Sequence, residues 1–193
     1  MRISRRNLLQ LLGATPAILL PAHGVTETVS EPRAVQPVGA YALQAPYVAQ
    51  VKEGCGSACI AMITQYWAKN GYTVPSAALD ADAIHKRIYS RKAKGSKASA
   101  VAAYFTSIGM QTYAISGSLG DLAEHIGKGR PVMVAIRGGS GSQLHYTVVT
   151  AISEDYVRVH DPAIKPDYPM SVKSFEDRWA ATTNWMLLAI PKG

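Results

Sequence analysis

Cys55 stands between Gly54 and Gly56 at the start of the most strongly helical stretch of the chain. A thiol placed there faces unpaired backbone N–H groups and the positive end of the helix dipole, and both favour the thiolate, the form that attacks a carbonyl carbon. The two glycines carry no Cβ, so the sequence predicts room for a substrate backbone beside the sulfur. A thiolate nucleophile works with a base that is itself held by a third group. His145 opens the run Tyr146-Thr147-Val148-Val149 behind a glycine-rich stretch at 137–142, a position that is accessible and yet held by a strand. Asp161 ends the next β-branched run, in Val159-His160-Asp161-Pro162. If the two runs form a hairpin about Ser153-Glu154-Asp155, the start of one and the end of the other share an edge of the sheet. A carboxylate there orients the imidazole and stabilises the imidazolium. Cys55, His145 and Asp161 are therefore the candidate nucleophile, base and orienting acid for acyl transfer.

Each residue alone also has an ordinary reading. Cysteine is among the most buried residue types, a histidine at a strand start is commonly a satisfied surface residue, and Asp-Pro starts many turns. Their combined order along the chain favours the chemical reading. Cys59, one helical turn after Cys55 on the buried face, reads as packing, and a disulfide between the two meets the required geometry poorly. A metal site built from Cys55, Cys59, His145 and His160 is disfavoured, because C-x-x-x-C on a helix is not the tight knuckle that zinc uses. His85 and His125 fall in helical surface patterns and His23 in a leader, while His160 is left as a candidate neighbour of the site. Gly138-Gly139-Ser140-Gly141 precedes a strand, whereas a phosphate cradle opens a helix. No cofactor and no metal is predicted.

The elements that must hold these residues can be read from periodicity. Cys55, Cys59, Met62, Ile63, Tyr66 and Trp67 recur at steps of three and four, which predicts a helix over 55–69 ending at Asn70-Gly71. Two more helices are predicted, one capped by Ser76 and running to about 89, the other from about 96 to 107. The pattern then changes. A short strand is predicted over 110–115, a helix capped by Ser118 through 126, a compact apolar run over 131–136, and strands over 144–152 and 156–160. Ser174 with Asp177 starts a short helix through 180, and 185–190 closes the chain as a strand. Helices first and an antiparallel sheet afterwards define an α+β layout with segregated layers.

The chain of 193 residues has space for one domain and a leader. Residues 1–24 combine a basic start (Arg2, Arg5, Arg6), an apolar stretch over 8–20 and small residues at Ala22 and Gly24, the pattern of a signal peptide. The stretch is too short and interrupted to span a bilayer, so no stable membrane insertion is expected. Ser4-Arg5-Arg6-Asn7-Leu8-Leu9-Gln10 resembles a twin-arginine export motif, an ordinary secretory leader being the alternative. The expected location is periplasmic or secreted. Residues 25–44 show no sustained period and read as a spacer, which puts the domain at 45–193. The formal charge of +7 falls to +4 without the three leader arginines. Arg87, Arg91, Lys92, Lys94 and Lys97 form the only basic cluster, with no aromatic interleaving, so a solvated face is favoured over a nucleic-acid site.

The run from Gln50 to Cys59, followed by Ile60-Ala61-Met62, resembles the nucleophile motif of the C39 and C39-like peptidases. Gly129-Arg130-Pro131-Val132, the strand from His145, Val159-His160-Asp161-Pro162, and Phe175 with Trp179 follow in the same order, so that the resemblance covers about 44–190. It implies a papain-like cysteine peptidase fold with a Cys, His, Asp triad, and a glutamine shortly before the cysteine whose side-chain amide stabilises the oxyanion. Carried over, that donor is Gln50, together with the backbone N–H of Cys55, with Gln44 as the alternative. Gln50 lies five residues before Cys55 where the bacteriocin-processing members commonly have six, and Gly54 stands where they often carry an acid. Transporter-linked members trim double-glycine leaders, whereas this sequence carries its own export signal, so the substrate is left open as a peptide or protein. The expected function is an exported cysteine peptidase. A transpeptidase or amidase would use the same acyl enzyme, and a catalytically silent papain-like module would bind peptides or cell-wall material.

Overall fold

A computed structural model describes residues 42–139 and 144–192. The leader at 1–24, most of the spacer and part of the glycine-rich stretch before His145 lie outside them.

The first helix, α1 (Cys55–Lys69), has the predicted limits. Gly71, at φ 88°, makes the left-handed turn that stops it, and Tyr72 N–H closes back on Trp67 O at 3.0 Å. More than one face of α1 is covered. Residues from Gly56 through Thr64 are all buried, which makes this the central helix of the domain and not an amphipathic surface one.

The helix predicted from Ser76 is broken in two. Ser76–Ala78 is a single 3₁₀ turn, and α2 (Ala81–Ile88) starts afresh with the Asp80 carboxylate accepting from Asp82 N–H at 2.8 Å. The break follows from α1. Thr64 Oγ1–H donates to Ala78 O and Gln65 Nε2–H to Leu79 O, so these carbonyls are bound to the neighbouring helix and not to a continuing one. A two-residue ladder of β1 (Tyr89–Ser90) and β2 (Gly95–Ser96) comes next, and α3 (Ala98–Ser107) begins two residues later than predicted.

The remaining strands form one antiparallel six-stranded sheet in the order β3-β8-β4-β5-β6-β7. They are β3 (Gln111–Ser116), β4 (Val132–Arg137), β5 (Leu144–Ile152), β6 (Tyr156–Asp161), β7 (Lys165–Ser171) and β8 (Trp185–Ile190). Helix α4 (Leu119–Gly127) starts with a reciprocal Ser118–Asp121 capping box. Every residue of β4 except Arg137 is buried, so the compact apolar run is a central strand covered on both faces. Helix α5 (Val172–Ala180) packs Phe175 and Trp179 into the core, and its cap is Ser171, three residues ahead of the predicted start.

Strand β7 has no counterpart in the sequence reading. Pro166 and Pro169 argue against a strand, yet β7 lies at the sheet edge, where a missing N–H facing solvent costs no ladder bond. The start of the domain also differs. Leu43, read as spacer, is buried and donates its N–H to Thr150 O at 2.9 Å, so the ordered chain begins before residue 45.

Candidate active site

Cys55 is the first residue of α1, behind Gly54, with no side-chain cap and no acid in the first turn. The positive end of the helix is thus left unneutralised at the sulfur. Both cysteines are free thiols, Cys59 fully buried and Cys55 partly accessible. Burial pushes the Cys59 thiol far up and makes it inert.

The glycines beside Cys55 serve the protein and not a substrate. A Cβ on Gly54 would lie 2.8 Å from Val51 Cγ2, and one on Gly56 would lie 2.9 Å from Ser96 Cβ. Both positions are buried, so the room expected there is filled by the chain itself.

His145 is the second residue of β5, and Asp161 is the last of β6. Ser153 N–H closes on Tyr156 O at 2.8 Å, making the hairpin that brings these two strand ends to one edge. His145 Nε2 lies 2.7 Å from Asp161 Oδ1. The same oxygen accepts Ala163 N–H at 2.9 Å, an Asx turn that Asp-Pro-Ala announces in sequence. With Nε2 on the carboxylate, Nδ1 is the ring nitrogen left for the thiol, which lies close enough to His145 for each to shift the other's pKa. Cys55, His145 and Asp161 therefore form one connected set.

The electrostatics are set by burial working against these contacts. Burial raises the Cys55 thiol, but the His145 hydrogen bond, the Tyr146 backbone N–H, the imidazolium charge and the Gly56 N–H outweigh it and leave the pKa lowered. Burial disfavours the His145 cation, yet Asp161 and Cys55 together push it up to about 9. Burial likewise raises Asp161, and the His145 hydrogen bond and charge, with Ala163 N–H, bring it below the usual carboxylate range. The arrangement favours a thiolate facing an imidazolium over a neutral pair.

Gln50 is carried to this edge by an extended strap, residues 42–50. Its backbone N–H donates to Pro162 O at 2.9 Å, next to Asp161, while Gly54 N–H turns back on Val51 O at 2.9 Å. Its side-chain amide makes no hydrogen bond to a described residue, and Oε1 is buried without a partner. Gln44 is exposed and lies beside Leu43, which is bound at Thr150, roughly 16 Å along β5 from His145 at about 3.3 Å per residue. Of the two glutamines, the strap therefore places only Gln50 beside His145 and Asp161.

His160 has a different part. Its Nε2–H donates to Ala45 O at 2.9 Å and its Nδ1 accepts Asp167 N–H at 3.1 Å, tying the strap and β7 to β6. Tyr47 adds a hydrogen bond from its hydroxyl to Asp161 O at 3.2 Å. With both ring nitrogens so used, His160 is a fastening. Among the described residues no three His, Cys, Asp or Glu side chains converge as metal ligands do. Two neighbours of the sulfur were not legible in the sequence: the Tyr146 backbone N–H, and the β1–β2 hairpin that packs Ser96 on Gly56.

A helix opening on a cysteine, packed against an antiparallel sheet that carries a paired histidine and aspartate, defines a papain-like cysteine peptidase fold. Solved structures share it. The peptidase domain of Streptococcus ComA, a bi-functional ABC transporter involved in quorum sensing, superimposes with a TM-score of 0.59 at 20% identity, over 76% of this chain and 98% of that one. A Bacillus anthracis protein described as a C39-like peptidase gives 0.60 at 15% identity, over 79% and 98%. A double glycine motif protease from an AMS/PCAT transporter, solved with its leader peptide, gives 0.59 at 19% identity, over 81% and 99%. The chain belongs to the Peptidase_C39 like family, whose model matches residues 42–186. No curated protein is significantly similar to it.

Proposed function

We propose that this chain is an exported cysteine peptidase that hydrolyses peptide bonds through an acyl enzyme on Cys55. The observation that carries this reading is the connected set of a helix-start thiol, His145 and Asp161, with His145 Nε2 held 2.7 Å from the carboxylate. The Cys55 thiolate attacks the scissile carbonyl carbon, and the developing oxyanion accepts hydrogen bonds from the Gln50 side-chain amide and the Cys55 backbone N–H. The C–N bond breaks as His145 Nδ1–H protonates the leaving amine. Water, deprotonated by the now neutral His145, then attacks the thioester and releases a carboxylate and the thiol. Asp161 keeps Nε2 occupied throughout, so that Nδ1 is the nitrogen that exchanges the proton. The leader joins this reading through Ser4-Arg5-Arg6-Asn7-Leu8-Leu9, which supports twin-arginine export to a periplasmic or secreted location.

The test incubates the purified protein with an unfolded polypeptide in heavy-oxygen water and reads the new termini by mass spectrometry. New C-termini carrying the heavy oxygen, absent with Cys55→Ala, are expected. Cleavage that survives Cys55→Ala sinks the reading. Products joined to an added amine, without heavy oxygen, replace hydrolysis by acyl transfer. For export, R5K/R6K is expected to leave the protein in the cytoplasmic fraction; unchanged export removes the twin-arginine route.

A further inference from the structure

Between Asp82 and Asp121 the chain carries no acidic residue, and every charged side chain from Arg87 to Lys97 is a cation. In sequence these read as a solvated face, but the fold fastens the hairpin that carries three of them to the loop before the nucleophile. The pairs Tyr89↔Ser96 and Ser90↔Gly95 fold the segment into a hairpin whose turn is Arg91-Lys92-Ala93-Lys94. Its base is fastened to the nucleophile loop at two points. Ser96 lies so close to Gly56, the neighbour of Cys55, that a Cβ on Gly56 would sit 2.9 Å from Ser96 Cβ. Tyr89 O–H donates to Glu53 Oε2, two residues before Cys55. The turn therefore rises from residues flanking the sulfur, roughly 10–15 Å from it at about 3.3 Å per residue.

The charge of this hairpin and its flanks is not spent in ion pairs with described residues. Arg87, Arg91, Lys92, Lys94 and Lys97 are exposed, and none forms an ion pair with a described residue. Glu53, which packs on the hairpin base, is engaged by Tyr89, and Asp80 is committed to capping the far end of α2. Arg87 is held over the Tyr104 ring, 5.4 Å from its centre, which orders one cation of the group. No exposed large apolar side chain lies on the hairpin to insert into a bilayer, which separates it from a membrane anchor.

From this juxtaposition we infer that the hairpin is one wall of the substrate cleft and selects polypeptides with acidic side chains flanking the scissile bond. This rests on the peptidase reading and narrows it from any polypeptide to an anionic class. Unpaired cations a few residues' length from the reacting group raise the local concentration of an anionic substrate and fix which stretch of it lies across the sulfur.

The experiment reads binding apart from turnover. Fluorescence anisotropy on the Cys55→Ala protein compares unstructured peptides that differ only in carrying glutamate, glutamine or lysine. The glutamate peptide is expected to bind at least tenfold more tightly than the glutamine one at low salt. The preference shrinks as salt rises, because exposed charges are screened over about 10 Å at 0.1 M. R91E/K92E/K94E in the same background is expected to prefer the lysine peptide, which also shows that the variant is folded. Equal binding of glutamate and glutamine peptides, or binding of phosphatidylglycerol vesicles in place of the glutamate peptide, overturns the inference. Cleavage without charge preference overturns it and leaves the peptidase function standing. Tight acidic-peptide binding by a protein that cleaves nothing overturns the peptidase reading and, with it, selection at a scissile bond, leaving the hairpin as an acidic-peptide binding site.

Discussion

Asp161 holds His145 by Nε2 at 2.7 Å while Ala163 N–H, 2.9 Å from the same carboxylate oxygen, holds Asp161. The imidazole is thus fixed from behind, by a carboxylate whose own position is set by the turn that follows it. Its free nitrogen faces a thiol at a helix start.

Asp161→Asn keeps the shape of this contact and removes its charge. His145 then loses the charge of the first of the two partners that raise it, and the thiolate–imidazolium pair weakens. Peptide cleavage is expected to fall by about 10²- to 10⁴-fold. In the wild type, the rate of Cys55 alkylation by iodoacetamide is expected to reach its plateau below the ordinary thiol range. Peptide cleavage is expected to decline as His145 deprotonates at about 9. A single rise at the ordinary thiol pKa, unaffected by Asp161→Asn, contradicts this.

Stability carries the same signature with two opposed signs. His145 is raised from 6.5 to about 9 on folding, so its contribution is complete below pH 6.5 and is lost as pH rises through about 9. Cys55 is lowered on folding, so its contribution grows with pH over the upper part of that window. Cys55→Ala removes the opposing group together with its own part in raising His145, and leaves the part that Asp161 supplies. Its melting temperature is expected to fall from neutral to alkaline pH, and Cys55→Ala with Asp161→Asn to show a flatter profile, both by calorimetry.

Gln50→Ala removes the side-chain amide that the proposed mechanism assigns to the oxyanion, without touching the backbone bond to Pro162. A loss of about 10²- to 10³-fold in kcat is expected, with the pH dependence of Cys55 alkylation unchanged. A change in that dependence instead would mean that Gln50 acts on the thiol and not on the oxyanion.

Gly56→Ala forces a methyl group to 2.9 Å from Ser96 Cβ and 3.5 Å from the Tyr146 ring. Neither neighbour is the free end of a flexible chain, so the hairpin or the helix start must shift. A destabilisation of about 1–3 kcal/mol is expected by urea unfolding, with loss of cleavage. Wild-type stability in this variant would show the packing to be looser than described.

His160→Ala breaks the two hydrogen bonds that tie Ala45 and Asp167 to β6. The expected cost is about 1–3 kcal/mol, with the strap before Gln50 gaining hydrogen exchange ahead of the core. Unchanged exchange over 42–50 would show the strap to be held by Leu43 and Tyr47 alone.

How much of this molecule was readable in its sequence depends on how local each signal is. The limits of α1, the Ser118 cap, the hairpin about 153–155 and the last strand rest on side-chain period and turn chemistry within a few residues. Cys55, His145 and Asp161 were each marked by a local context of this kind, a helix start, a strand start and a strand end. The break at Ala78 and Leu79 was not readable, because it depends on Thr64 and Gln65 reaching across from another helix. Strand β7 escaped because proline is forbidden only where its missing N–H faces a partner, and only the sheet order shows that it does not. The choice of Gln50 over Gln44, the filling of the space at Gly54 and Gly56, and the basic hairpin beside the sulfur all depend on which distant segments pack together. Sequence spacing determines which residues share a helix face or a strand end, but contacts between residues far apart in the chain are decided by tertiary packing.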